Sequence, residues 1–350
     1  MRTRSYNSFW KQIHDSAKEE NFPLRVMFEL TYRCNFKCKH CYLPQSYRRK
    51  GGLKTKEIFS ILDQLKDIGC FYLGFTGGEP FIRNDIIEIL RYAREKGFQM
   101  IVYTNGSLIN QGIAQELHRL KINKLDITIP AMRKKSFERI SGVAGSRNRV
   151  FKTIDILHKN RVNLGFKTCV LKDNASEIKE IEDFSTSLGA PHRLDDSLFR
   201  RLDGSEEPYR YRGKTIARMV KQSGLKEDFS DACDLKITGY ENNNGNLFAC
   251  GAGLTQAAIT PQGELKLCLM IDHPRYNILE SSLKECWQRL NRFQRGIALD
   301  KDYQCSSCSL KAYCKRCPAR SWLYNRSFTS CAPESRAKAQ LVSDLFSRKS

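Results

Sequence analysis

Apolar residues between positions 24 and 196 recur with two alternating periods. LRVMFEL (24–30) is a short apolar run of strand type. TKEIFSILDQLKDIG (55–69) follows, with apolar side chains at 58, 59, 61, 62, 65 and 68, the stripe of an amphipathic helix closed by Gly69. YLGFTG (72–77) is extended again, and NDIIEILRYAREKG (84–97) is a helix with Asn84 as its cap. Strands over 99–105, 124–130 and 163–171 alternate with helices around 110–119, 147–160 and 175–188, and PHRLDD (191–196) adds a weaker sixth strand. Such repetition predicts an α/β fold with a parallel sheet and right-handed crossovers. Six units fall short of the eight of a closed barrel, so a partial (β/α)6, TIM-like barrel is expected over 24–196.

The pattern then breaks. Residues 197–228 are charged with few periodic apolar positions, and the stretch 197–245 reads as a connector whose charged part faces the substrate. A Gly/Asn-rich passage leads into a cysteine-dense region, 246–350, expected to hold little regular structure apart from a closing helix over 334–346. A small core of this kind depends on bound metal for stability. Residues 1–23 form an N-terminal extension.

The totals narrow the choices. The chain has 350 residues, 41% hydrophobic and 28% charged. No apolar run approaches the roughly 18 residues that span a bilayer, and no apolar stretch follows the basic start as in a secretory signal. A cytoplasmic, reducing location is therefore expected, with no membrane partner. Fourteen cysteines in such a chain point to metal or cluster ligation rather than disulfides. The net charge of +21 favours an acidic partner. It is spread rather than blocked, with RRK (48–50) and RKK (133–135) as the tight runs, and nucleic acid is not expected.

Cys34, Cys38 and Cys41 stand in CNFKCKHC, on a loop directly after the first strand. A structural zinc ion wants four ligands, and His40, adjacent to Cys41, is poorly placed as the fourth. Three thiolates suit a [4Fe–4S] cubane better, with the fourth iron open to a non-protein ligand. Here the sequence resembles the radical S-adenosylmethionine (SAM) superfamily, whose hallmark is CX3CX2C with an aromatic residue before the last cysteine, a position that His40 fills. FTGGEP (75–80) ends the second strand, where that family carries its GGEP segment. The resemblance implies that Gly77, Gly78, Glu79 and Pro80 receive the methionyl group of SAM, with glycines allowing close backbone approach. Asn105 in YTNG and Thr128 in the fourth strand fall where relatives place SAM contacts, as does Asn174 in LKDN, which is equally a turn residue. TIPA (128–131) and FERISG (137–142) depart from the usual SLDG and HDxxRG, which implies a differently built pocket around Ser141.

The later cysteines, Cys250, Cys268, Cys305, Cys308, Cys314, Cys317 and Cys331, resemble the seven-cysteine SPASM array, although the gap before Cys317 is two residues rather than three. By that resemblance Cys305, Cys308, Cys314 and Cys331 hold one auxiliary [4Fe–4S] cluster and Cys250, Cys268 and Cys317 a second, whose fourth iron is either open or held by Cys233. Cys70, Cys169 and Cys286 lie in apolar patterns and read as core residues.

The resemblance implies an enzyme that cleaves SAM reductively to a 5′-deoxyadenosyl radical and abstracts hydrogen from a peptide or protein, forming a crosslink or an oxidised residue. A small cofactor or tetrapyrrole precursor is the alternative substrate, and a non-enzymatic zinc or iron–sulfur binding protein the third reading. An acidic flavodoxin or ferredoxin is the implied electron donor. The 23 residues before the first strand are too few for a leader-recognition domain, so a separate leader-binding protein is an expected partner of the peptide reading.

Overall fold

The computed structural model describes residues 6–213, 247–301, 303–314 and 316–347. Its centre is a parallel sheet of β1 (Arg25–Thr31), β2 (Tyr72–Gly77), β3 (Gln99–Thr104), β4 (Lys124–Thr128), β5 (Leu164–Cys169) and β6 (His192–Asp195). The strands neighbour one another in chain order, as crossover units require. Val26, Phe28 and Leu73 alternate with residues of the opposite face and pack under helices α2 (Thr55–Asp67) and α3 (Ile86–Glu95). α4 (Gln111–Arg119), α6 (Ser146–Lys159) and α7 (Ile178–Ser187) follow the later strands in the same way.

Several elements differ from the periodicity. α1 (Tyr6–Glu19) and α5 (Lys134–Ser141) are helices where none is predicted. Asp85, not Asn84, precedes α3, and its carboxylate is taken by Arg83 at 2.6 Å and by Thr55. The sheet also continues beyond β1. β7 (Gln256–Ile259) pairs with it in parallel, and β8 (Glu264–Lys266) and β9 (Tyr276–Asn277) extend that edge antiparallel. With α8 (Leu283–Arg295), α9 (Pro318–Asn325) and α10 (Pro333–Ser347), the cysteine-dense region is more regular than expected. Strands of two to four residues are too short to show a period. Ile259, Leu265, Trp287 and Leu290 join the same apolar core as the barrel strands, so core burial, and not the expected metal alone, stabilises this region. Cys70, Cys169 and Cys286 are buried. Among the described residues no helix is long and apolar enough to cross a membrane.

Candidate active site at the mouth of the barrel

The CNFKCKHC loop leaves β1 at its C-terminal end, where strand ends of α/β barrels carry chemistry. Three neighbouring segments fix it. From the end of β2, the Gly78 amide donates to the Thr31 carbonyl at 2.7 Å and the Glu79 amide to that of Arg33 at 2.9 Å. From α5, the Ser141 and Ile140 carbonyls accept from the Lys37 and Lys39 amides at 2.8 and 3.2 Å. From the loop after β3, the Asn105 Nδ2 donates to Asn35 Oδ1 at 2.9 Å, and Asn35 Nδ2 donates to Ser107 at 2.8 Å.

Glycines make this approach possible. A Cβ on Gly77 would lie 2.2 Å from the Thr31 carbonyl oxygen, and one on Gly78 would lie 2.2 Å from that of Arg33. The GGEP glycines thus admit the chain's own backbone. Gly142, left-handed at φ +69°, closes α5 against Lys37 in the same manner.

Glu79 is fully buried and its carboxylate accepts from Thr104 Oγ1 at 2.6 Å, the Asn105 amide at 2.7 Å and the Phe81 amide at 3.1 Å. Burial raises its pKa to about 7, with those three donors opposing. The carboxylate is committed to joining the ends of β2 and β3. Because the folded pKa lies above that of the open chain, this group favours the fold fully below about pH 4.5 and loses that contribution as pH rises through 7. The change corresponds to about 3 kcal/mol. In cluster-free protein, Glu79→Gln is expected to flatten the fall in thermal midpoint between pH 5 and 7.5; an unchanged slope in the variant counts against this assignment.

The three thiols are half-buried and close enough to act on one another. Burial pushes Cys34 up to about 11 and raises Cys41; for Cys38 burial acts first, then the charges of Cys41 and Cys34. The Arg48 guanidinium opposes the rise at all three and donates to the Phe36 carbonyl within the loop. Crowded thiols of high pKa beside a fixed cation suit a centre that takes them as thiolates. Among the described residues no three acidic, His or Cys side chains crowd closely enough to hold a single metal ion. A cubane instead spreads its thiolates over separate irons.

His40 and Thr128 border the same lumen. Burial lowers the His40 pKa to about 4, Lys167 adding to the effect and Asp195 opposing it, so the ring is neutral and its buried Nδ1 has no partner. Thr128 lies in register with Lys167. Pro80 is buried at the start of a short 3-10 turn, Pro80–Ile82. Asn174 is consumed as a turn residue: it accepts from the Leu171 amide and donates to the Pro130 and Cys169 carbonyls. Ser141 is buried against Ser146 at 2.8 Å. Met27 and Lys124 lie across Gly74 and Gly165, where an added Cβ would meet their side chains at 2.4 and 2.8 Å.

Two further thiol groups form in the C-terminal region. Cys250, Cys268 and Cys317 stand together; burial raises Cys268 to about 12, with the Cys317 and Cys250 charges adding to it. Cys305, Cys308, Cys314 and Cys331 form the other group. Cys317 reaches its group from the N-cap of α9 despite the short gap after Cys314. Cys233 lies outside the described residues, as do residues 214–246 of the connector. Residues 197–213 lie over the first cysteine loop, with the Leu202 amide donating to the Tyr42 carbonyl at 3.0 Å and Arg201 to that of Cys41. Arg48, Asn35 and Ser107 carry no spacing signal in the sequence beyond the basic run that contains Arg48.

The family model described as the radical SAM superfamily matches residues 28–185. The AdoMet-dependent heme synthase of Methanosarcina barkeri is 25% identical over 329 residues, covering 86% of this chain and 93% of that protein. The antilisterial bacteriocin subtilosin biosynthesis protein AlbA of Bacillus subtilis is 28% identical over 321 residues, 86% of this chain and 68% of that one. Among solved structures, Streptococcus suis SuiB bound to its precursor peptide SuiA aligns over 93% of this chain and 79% of its own, with a TM-score of 0.71 and 19% identity. Native anSMEcpe with bound AdoMet aligns over 93% and 98% at a TM-score of 0.70 and 17% identity. These two share the fold.

Proposed function

We propose that this chain, whose residues 28–185 match the radical SAM superfamily, is a radical SAM enzyme that modifies a peptide or protein substrate at the mouth of this barrel. The observation that carries the reading is the trio Cys34, Cys38 and Cys41, crowded and half-buried on a loop held by the GGEP segment, the Asn105 loop and α5. These thiols would hold a [4Fe–4S] cluster whose fourth iron takes SAM. When bound, that group would supply the reductive cleavage of SAM needed to take hydrogen from an unactivated C–H bond.

The chain's own residues position and protect. Gly77, Gly78 and Pro80 shape the wall beside the thiols, Glu79 and Asn105 fix that wall, and together these residues are read as receiving the methionyl end of SAM. His40, neutral and with an unpartnered nitrogen, and Thr128 are the polar groups left to face the adenosyl moiety. Residues 246–350 are read as a SPASM domain, with auxiliary clusters at Cys250, Cys268 and Cys317 and at Cys305, Cys308, Cys314 and Cys331. The +21 charge suits an acidic flavodoxin or ferredoxin as electron donor. A separate leader-binding protein is the further partner of a precursor-peptide substrate.

AlbA and SuiB support the peptide reading. The heme synthase relative, matched over 93% of its length, favours a tetrapyrrole carboxylate as the second. The test is anaerobic reconstitution followed by assay of 5′-deoxyadenosine. About twelve irons per chain are expected, with 5′-deoxyadenosine formation stimulated about tenfold or more by a peptide substrate and not by iron coproporphyrin. Stimulation by the porphyrin alone overturns the peptide assignment; bound zinc with no SAM cleavage overturns the enzyme.

A further inference from the structure

A fully buried ion pair joins the first cysteine loop to the second thiol group. Glu29, on β1, is 0% exposed and Lys266, on β8, is 1% exposed. The Lys266 Nζ lies 3.4 Å from Glu29 Oε2. The negative end points to the first loop: Tyr42, next to Cys41, donates to Glu29 Oε1 at 2.7 Å, and Tyr32, two residues before Cys34, donates to Oε2 at 3.2 Å. The positive end points the other way, since the Lys266 Nζ donates to the Leu269 carbonyl at 3.0 Å, the residue after Cys268. Removing two charges from water is costly, and a pair of apolar residues would pack as well or better. The burial of this pair between two thiol groups therefore calls for a role beyond stability.

We propose that Glu29 and Lys266 form a fixed dipole that sets the reduction potentials of the two centres apart, the one at Cys34, Cys38 and Cys41 lower and the one at Cys250, Cys268 and Cys317 higher. The inference rests on the cluster assignments above. A nearby anion disfavours the added negative charge of a reduced centre and a nearby cation favours it, and low local dielectric strengthens both effects. One electron leaving the first centre oxidises it by one and reduces the second by one, with no proton moved. The dipole biases that exchange toward the auxiliary side. Glu29 and Lys266 are positioning residues that touch no reacting atom.

The test is an EPR-monitored redox titration of the reconstituted full chain, comparing the parent with E29Q/K266M, which removes both charges and leaves neither stranded. The gap between the two midpoint potentials is expected to shrink by about 59 mV, a tenfold change in the one-electron equilibrium. K266R, which keeps the charge, is expected to retain the parent's gap. E29Q/K266Q keeps a side-chain donor for the Leu269 carbonyl and serves if the methionine variant does not fold. An unchanged gap in a charge-free variant with its full iron content overturns the proposal, as does a K266R gap reduced as far as theirs. Absence of cubanes from the parent instead overturns the underlying assignment.

Discussion

Gly78→Ala is expected to empty the first thiol site while leaving the C-terminal ones able to load. The added methyl would lie 2.2 Å from the Arg33 carbonyl oxygen and 2.7 Å from that of Tyr32. A Cβ has no rotamer by which to escape, and the atoms it meets are backbone, so the strand end or the cysteine loop must move. Either movement breaks the Gly78–Thr31 and Glu79–Arg33 hydrogen bonds that place Cys34. Overpacking costs about 1–3 kcal/mol and the two bonds about 1 kcal/mol each, so a loss of about 3–5 kcal/mol is expected. Iron should fall from about twelve to about eight per chain, and 5′-deoxyadenosine formation should vanish. Gly165→Ala is the control. Its methyl meets only the Lys124 side chain, at 2.8 Å, which can swing away, and near-normal iron and SAM cleavage are expected. A full iron complement in Gly78→Ala would refute the clamp.

Substituting the thiols group by group gives the second large effect. In C34A/C38A/C41A about a third of the iron and all SAM cleavage should be lost, because no other thiol is seen beside that loop among the described residues. In C305A/C308A a different third should be lost, since Cys314 and Cys331 then face only each other. Slow SAM cleavage without substrate should persist there, because the first loop takes none of its anchoring bonds from these residues. Iron analysis and chromatography of 5′-deoxyadenosine read both outcomes. Equal iron loss and equal inactivity in the two variants would mean that the groups do not load separately.

The barrel strands were legible because each buries one face and shows it as a local period. α5 was not, since eight residues with Phe137 and Ile140 as its apolar pair make too short a stripe. β7–β9 are shorter still and owe their existence to the open edge of β1, a tertiary fact. At the site, the cysteines and GGEP stood out because their chemistry lies in covalent spacing. What holds them did not: Asn35 meets Ser107 across 72 positions and Asn105 across 70, and no pattern in the chain announces such pairs. Glu29 and Lys266 were hidden for the same reason, each looking like an ordinary charge in a strand. Glu79 stood out as part of its motif, but the bonds by which its carboxylate joins two strand ends did not.

The central claim is that Cys34, Cys38 and Cys41 hold a cubane with one iron open to SAM. It is tested most directly by Mössbauer spectroscopy of the anaerobically reconstituted, 57Fe-enriched chain with and without SAM. The account predicts that one iron site of one cluster changes its isomer shift when SAM is added, and that C34A/C38A/C41A shows no such change. A parent spectrum indifferent to SAM, or a SAM-dependent change that survives loss of these three thiols, would contradict it.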